Sequence, residues 1–268
     1  MRVTVQQVIE LLTAPVGMLE QTVDGLLVGD PAAQVSGIVT AFMPSRHVLE
    51  QAVQRGANLV IVHEGLFYAH HDRDELVGDP IVQEKRVWVE ASGLAIYRIH
   101  DYIHRYQPDG IMAGLLRELE WEDYVQEYHY AHAIVACPAL RLRELAELVK
   151  RRLGIPYVRV AGDLEMLCAK VGVLVGNRGG GATAIPVLAR ADIDVVLYGE
   201  GPEWETPEYV RDATQQGGAK GLIVLGHAES EAPGMALLAD RLREHYPDLP
   251  VRHVREQSAL TILNDTNS

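Results

Sequence analysis

Short apolar runs alternate with amphipathic stretches along most of the chain. Residues 35–40, 58–62 and 94–99 are rich in Val, Ile and Leu and read as buried strands. Between them the spacing changes to a helical one. Residues 4–13 place Val5, Val8, Ile9, Leu11 and Leu12 on one side behind Thr4, a good N-cap. Ser45 precedes a helix carrying Val48, Leu49, Ala52 and Val53, which Gly56 ends. Pro80 suits a first helical turn, and residues 81–92 form the next helix, closed by Gly93. A further helix is expected over 109–119.

The second half repeats this order. Strands are expected at 130–136, 157–161, 170–175, 194–198 and 221–225. Helices are expected at 141–153, 181–190, 206–216 and 230–245, the last with Ser230 as its cap. Alternation of this kind predicts an α/β fold. The acidic turn at Glu120-Trp121-Glu122-Asp123 suggests a boundary, hence two α/β lobes, 1–126 and 127–268. The polar residues 264–268 are expected to fray.

Charge narrows the function classes. With 24 basic and 37 acidic residues the net charge is −13, which argues against binding to a nucleic-acid backbone. The opening residues lack the apolar core of a signal peptide, and no apolar run is long enough to span a bilayer. A cytoplasmic protein with no membrane partner is expected. Cys137 and Cys168 form no CxxC pair and read as buried free thiols.

The candidate chemistry sits just beyond strands. His63 and Glu64 follow the run 59–62, His100 follows 94–99, and His227 follows 222–225. Open α/β sheets place their ligands at such strand ends. His100 and His104 are four apart, as are His227 and Glu231, so a helical turn puts each pair on one face. Imidazoles with carboxylates beside them suit a transition metal. Gly176-Asn177-Arg178-Gly179-Gly180-Gly181 reads either as a tight strand-to-helix turn or as an anion cradle in which Arg178 would favour a negative substrate. The His70-His71-Asp72 loop, and His129 and His132 on a strand, read as structural or solvated.

Three segments together carry a resemblance. Residues 58–67 look like a strand followed by a His-His-Pro-Leu motif, residues 194–200 like a strand ending in Thr-Gly-Glu, and Gly226-His227-Ala228-Glu229-Ser230-Glu231 like Gly-His-x-x-[Ser/Thr]-Glu. These resemble the Nif-three-like proteins, often labelled GTP cyclohydrolase I type 2, in a short form without a central insert. Order and spacing agree over about residues 36–242.

The resemblance implies two packed α/β lobes with mixed sheets, a homohexamer, and two divalent transition ions per chain between the lobes: zinc or iron, with manganese or nickel as alternatives. Carried over by position, the metal ligands would be His63, Glu64, His104, His227 and Glu231. Glu64 stands where the family has a second His, and His104 where it has an Asp. The two exchanges leave three imidazoles and two carboxylates, so Glu64 or Glu231 would bridge the ions. Glu200 keeps an acidic family position, whereas a family His falls on Trp204. His100 would move a proton or orient water. Hydrolysis of a small anionic, phosphorylated or heterocyclic substrate is the chemistry this implies. A non-catalytic metal-binding, regulatory or scaffold role is the alternative.

Overall fold

The computed structural model describes residues 3–71, 76–256 and 258–263. The chain opens with α1 (Val5–Thr13), where the Thr4 hydroxyl accepts from Gln7 N and the Gln7 side chain accepts from Thr4 N. Then come β1 (Gly25–Val28), β2 (Ile38–Ala41), α2 (Arg46–Gln54) and β3 (Leu59–Val62). Ser45 caps α2 as its position predicts. Next are α3 (Pro80–Ser92), capped by Asp79, β4 (Ala95–Arg98), the single turn α4 (Asp101–His104) and α5 (Gly110–Glu118). The second half runs β5 (Val125–Tyr128), β6 (Ala133–Arg141), α6 (Leu142–Leu153), β7 (Arg159–Ala161), β8 (Leu167–Leu174), α7 (Gly181–Leu188), β9 (Val195–Tyr198), α8 (Thr206–Gln215), β10 (Gly221–Val224), α9 (His227–His245) and β11 (Val251–His253).

These strands form two mixed sheets, so the fold is α/β. The first has the order β1-β4-β3-β2-β11, with β1 antiparallel at one edge and the other four parallel. The second has the order β5-β6-β8-β9-β10-β7, with β8, β9 and β10 parallel. In both, the central parallel strands β2, β3, β9 and β10 are buried at every position. Their unbroken apolar runs reflect cover on both faces.

Alternate strand positions show what covers them. Val39, Val60 and Val62 join α2 and α3 residues on the outer face of the first sheet. Val196, Leu222 and Val224 join α7 and α8 on the outer face of the second. The inward residues Ile38, Leu59, Ile61, Val171, Val195 and Ile223 share one core with α5 and α9. Those two helices pack so closely that a Cβ on Gly114 would lie 2.3 Å from the Gly234 Cα.

Several details differ from the sequence reading. β5 runs through the 126/127 boundary and pairs with β6, while β11 crosses back to lie parallel to β2. His129 and His132 lie in the β5–β6 hairpin turn rather than on a strand, with stacked rings 4.4 Å apart. α9 starts at His227, so Ser230 sits inside its first turn and does not cap it. Cys137 and Cys168 are buried and free. Among the described residues no helix is long and apolar enough to cross a membrane. Asp72 and residues 264–268 lie outside the described residues.

Candidate metal centre

The C-terminal ends of β3, β4 and β10 meet between the sheets and deliver the polar groups. His63 follows β3 directly and is fully buried. Its backbone N–H and that of Glu64 both donate to Phe42 O at 3.0 Å, which fixes the turn. The Phe42 ring packs against the imidazoles of His63 and His227. After β4, the Asp24 carboxylate accepts from the N–H groups of His100, Asp101 and Tyr102 at 2.8–2.9 Å. That cap makes α4 possible and brings His100 and His104 round to the same site. After β10, His227 and Glu231 lie one turn apart at the start of α9, as their spacing predicts.

Glu231 is the hub. It is 3% exposed, and its Oε2 lies 3.0 Å from His227 Nε2 and 3.3 Å from His63 Nε2. Its Oε1 lies 3.8 Å from His104 Nε2. Behind each imidazole stands an acceptor for the other ring nitrogen: Ile99 O at 3.0 Å from His63 Nδ1, Asp109 Oδ2 at 2.9 Å from His104 Nδ1, and Glu200 Oε1 at 2.9 Å from His227 Nδ1. Ile99 O and Glu200 place a hydrogen on Nδ1 of His63 and of His227, whereas His104 Nδ1 faces both Asp109 Oδ2 and, at 3.1 Å, the Arg178 guanidinium. Each Nε2 faces a Glu231 oxygen. His63 Nε2 and Glu231 Oε2 find no hydrogen-bond partner among the described residues. Buried and 3.3 Å apart, these two atoms are held favourably only with a proton or a metal cation between them.

The carboxylates favour positive charge on these rings. Burial opposes charge on His227, yet the Glu231 and Glu200 carboxylates push it up to about 9. Burial also opposes charge on His63, and Glu231 outweighs it. Burial raises Glu231, but the same imidazoles hold it well below the ordinary carboxylate range. The pocket favours added positive charge, and the donor chemistry of imidazole and carboxylate fits a divalent transition ion.

His100 stacks on His63 at 4.5 Å. Burial and its His63 and His104 neighbours push it down to about 3, so it is a neutral imidazole. Its Nδ1 donates to Asp101 at 3.0 Å, leaving Nε2 free and 3.9 Å from Glu64 Oε1. Glu64 is also 3.9 Å from His227 Nε2 through Oε1, while its Oε2 receives Arg98 at 3.3 Å. All six expected site residues thus converge. Among the described residues, the triads whose donor atoms all lie within 4.8 Å of one another are His63–His100–His104, His63–Glu64–Glu231 and Glu64–His70–His100, and His227 approaches them through Glu231 and Glu64. His100, expected to move protons, is geometrically a donor as well.

Asp109 and Arg98 join the site without having been read from the sequence as site residues. Asp109 was placed only as a helix start, yet it caps α5 through Oδ1 and orients His104 through Oδ2. Arg178 donates to the same Asp109 oxygen at 3.2 Å. Arg98 is 4% exposed within β4, and His70, read as a loop residue, packs against it.

The glycine-rich turn proves structural. The first free N–H of α7, that of Gly181, is taken by Glu205, and Thr206 donates to Gly179 O. Gly176 has φ +59, and a Cβ there would lie 2.1 Å from Glu231 Oε1. Glycine is needed so that the carboxylate can lie against the turn. Trp204 stands 76% exposed, and Glu200 is the group behind His227.

Comparison with known proteins is consistent along the chain. The DUF34/NIF3 family description (NGG1p interacting factor 3) matches residues 3–259. A Clostridium acetobutylicum protein named GTP cyclohydrolase 1 type 2 homolog is 22% identical over 239 residues, 85% of each chain. A Deinococcus radiodurans protein of the same name is 27% identical over 219 residues, covering 80% of this chain and 78% of that one. The crystal structure of a Bacillus cereus protein related to NIF3 superposes with a TM-score of 0.77 at 16% identity, over 98% of this chain and 99% of that one.

Proposed function

The chain belongs to the DUF34/NIF3 family, and from that premise we propose that it is a metal-dependent hydrolase of a small anionic substrate, phosphorylated or nucleotide-like. The observation that carries the reading is the ring of imidazole Nε2 atoms around the buried Glu231 carboxylate. His63, His104, His227 and Glu231 would hold zinc, iron, manganese or nickel. Such an ion supplies Lewis acidity, polarising a substrate oxygen and making a water acidic enough to ionise near neutral pH.

The chain's own groups do the rest. Ile99 O, Asp109 and Glu200 fix the three imidazoles and raise their basicity. His100, neutral and donating its Nδ1 hydrogen to Asp101, presents Nε2 to orient a water. Arg178, beside Asp109 and part exposed, offers charge to an anionic substrate. The names of the relatives make a purine nucleotide a natural member of the substrate panel. A homohexamer in the cytoplasm is part of the same reading, and light scattering on the purified protein checks the assembly.

The test is metal analysis of protein grown in metal-supplemented medium, followed by turnover assays on phosphoesters and nucleotides. His227→Ala and Glu231→Gln should lose metal and turnover together. Metal-free wild-type protein would sink the proposal. Metal without turnover across the panel would favour the non-catalytic, regulatory role.

A further inference from the structure

Resting on that metal-binding reading, we propose that the guanidinium of Arg98 occupies the second cation position, so that this chain binds one ion where the resemblance implies two. Arg98 ends β4 and is almost wholly buried. Its Nε donates to His63 O at 3.2 Å and its Nη1 to His70 O at 2.7 Å. Its Nη2 lies 3.3 Å from Glu64 Oε2 and 2.9 Å from His70 Nδ1. The guanidinium keeps its charge at any pH a folded protein meets.

This arrangement divides the candidate donors into two kinds. Of the group Glu64–His70–His100, two members are already turned on Arg98. His70 Nδ1 accepts from the guanidinium, so its one neutral-state lone pair is used and its Nε2 carries the hydrogen. One oxygen of Glu64 is used in the same way. What is left there is His100 Nε2 and Glu64 Oε1, 3.9 Å apart and beside a fixed positive charge. Two donors do not make a closed transition-metal site, and a neighbouring cation opposes an ion there.

The group around Glu231 differs on each count. His63, His104 and His227 each turn Nε2 on the carboxylate, and no Lys or Arg hydrogen-bonds to Glu231 among the described residues. One ion there satisfies the facing lone pairs of His63 and Glu231. Glu64 then serves as counter-charge to Arg98 rather than as a bridging ligand. Arg98 supplies from the protein the positive charge that a second ion would bring, and holds it about one side chain away from the first.

Zinc(II) or manganese(II) titrated alone into the metal-stripped full chain, read by calorimetry and by elemental analysis after dialysis, tests this. Wild type should bind one ion per chain. Glu64→Gln should also bind one, with affinity changed by less than about tenfold. Arg98→Met, which keeps the apolar stem and removes the charge, should bind two. Two ions in wild type, loss of the ion in Glu64→Gln, or one ion in Arg98→Met would each overturn the proposal while leaving the metal-binding reading intact. No ion in any protein would overturn that reading itself. If Arg98→Met does not fold, anomalous scattering on wild-type crystals decides: one peak beside Glu231 is expected, and a second beside Glu64 and His100 refutes it.

Discussion

Replacing Gly114 by Ala should damage the fold and the metal centre together. A Cβ on Gly114 would meet Gly234 Cα at 2.3 Å and Gly234 N and Pro233 O at 2.5 Å. Carbon atoms rest at about 3.5–4.0 Å, so α5 and α9 would have to part by more than about 1 Å. Every opposing atom is backbone, and no rotamer change relieves it. The helices are also held by Ile111, Leu115, Leu116, Met235 and Ala239, which are fully buried in the shared core. Overpacking of this kind costs ~1–3 kcal/mol, and backbone contacts belong at the upper end. The better helix propensity of Ala returns about 1 kcal/mol, leaving a net loss near 2 kcal/mol.

The displacement does not stop at the crossing. α9 begins with His227 and Glu231, while His63 and His104 belong to the other sheet's strand ends. Ligand distances in a metal site hold to within about 0.2 Å, so a shift of even half the expected size weakens the site. Urea unfolding should show a lower midpoint with the slope unchanged, and zinc affinity should fall in the same variant. A Gly114→Ala protein as stable as wild type, or more so, would refute the claim that backbone contact sets the helix separation.

Asp109→Asn keeps an oxygen for the α5 cap but removes the charge behind His104. Metal affinity should fall about 10–100-fold, with a stability change below about 1 kcal/mol, read by competition with a chromogenic chelator and by thermal melting. Glu256 gives a pH prediction. Burial raises its carboxyl from 4.5 to about 7, against hydrogen bonds from the backbone of Met43 and its neighbours. The folded state then holds more protons than the unfolded between those values, so stability falls as pH rises from about 4.5 to about 7 and is level above. The loss is at most ~3 kcal/mol. Denaturant melts across that range should show it, and Glu256→Gln should flatten the profile.

The parallel strands and the Glu231 motif were legible because their signals are local. Residues 59–62 and 221–224 are unbroken apolar runs, and His227 with Glu231 needs only one helical turn. The edge strands were not legible. β1 is four residues, three half-buried and one exposed, with a bulge, β5 alternates half-buried and exposed positions in an acidic context, and β11 is three residues. What makes each a strand is a partner far along the chain, which propensity does not carry. Arg98 escaped notice for a related reason. It continues a strand pattern that marks it as one more covered position, and its meaning lies in Glu64, 34 residues away. Asp109 was visible as a helix cap, and one carboxylate doing two tasks leaves no second mark in the sequence.

The return of β11 to the first sheet governs the order in which the molecule can assemble. Thr40 in β2 and His253 in β11 join across 213 positions, and the Thr40 hydroxyl also donates to Met235 O within α9. On the ribosome the first half emerges long before either partner exists. Its sheet waits with an open, apolar edge beside β2 while the whole second half is synthesised. Closure of so long a loop is slow, so the nascent chain should depend on chaperones through that interval. The candidate metal ligands from the two halves meet only when it ends.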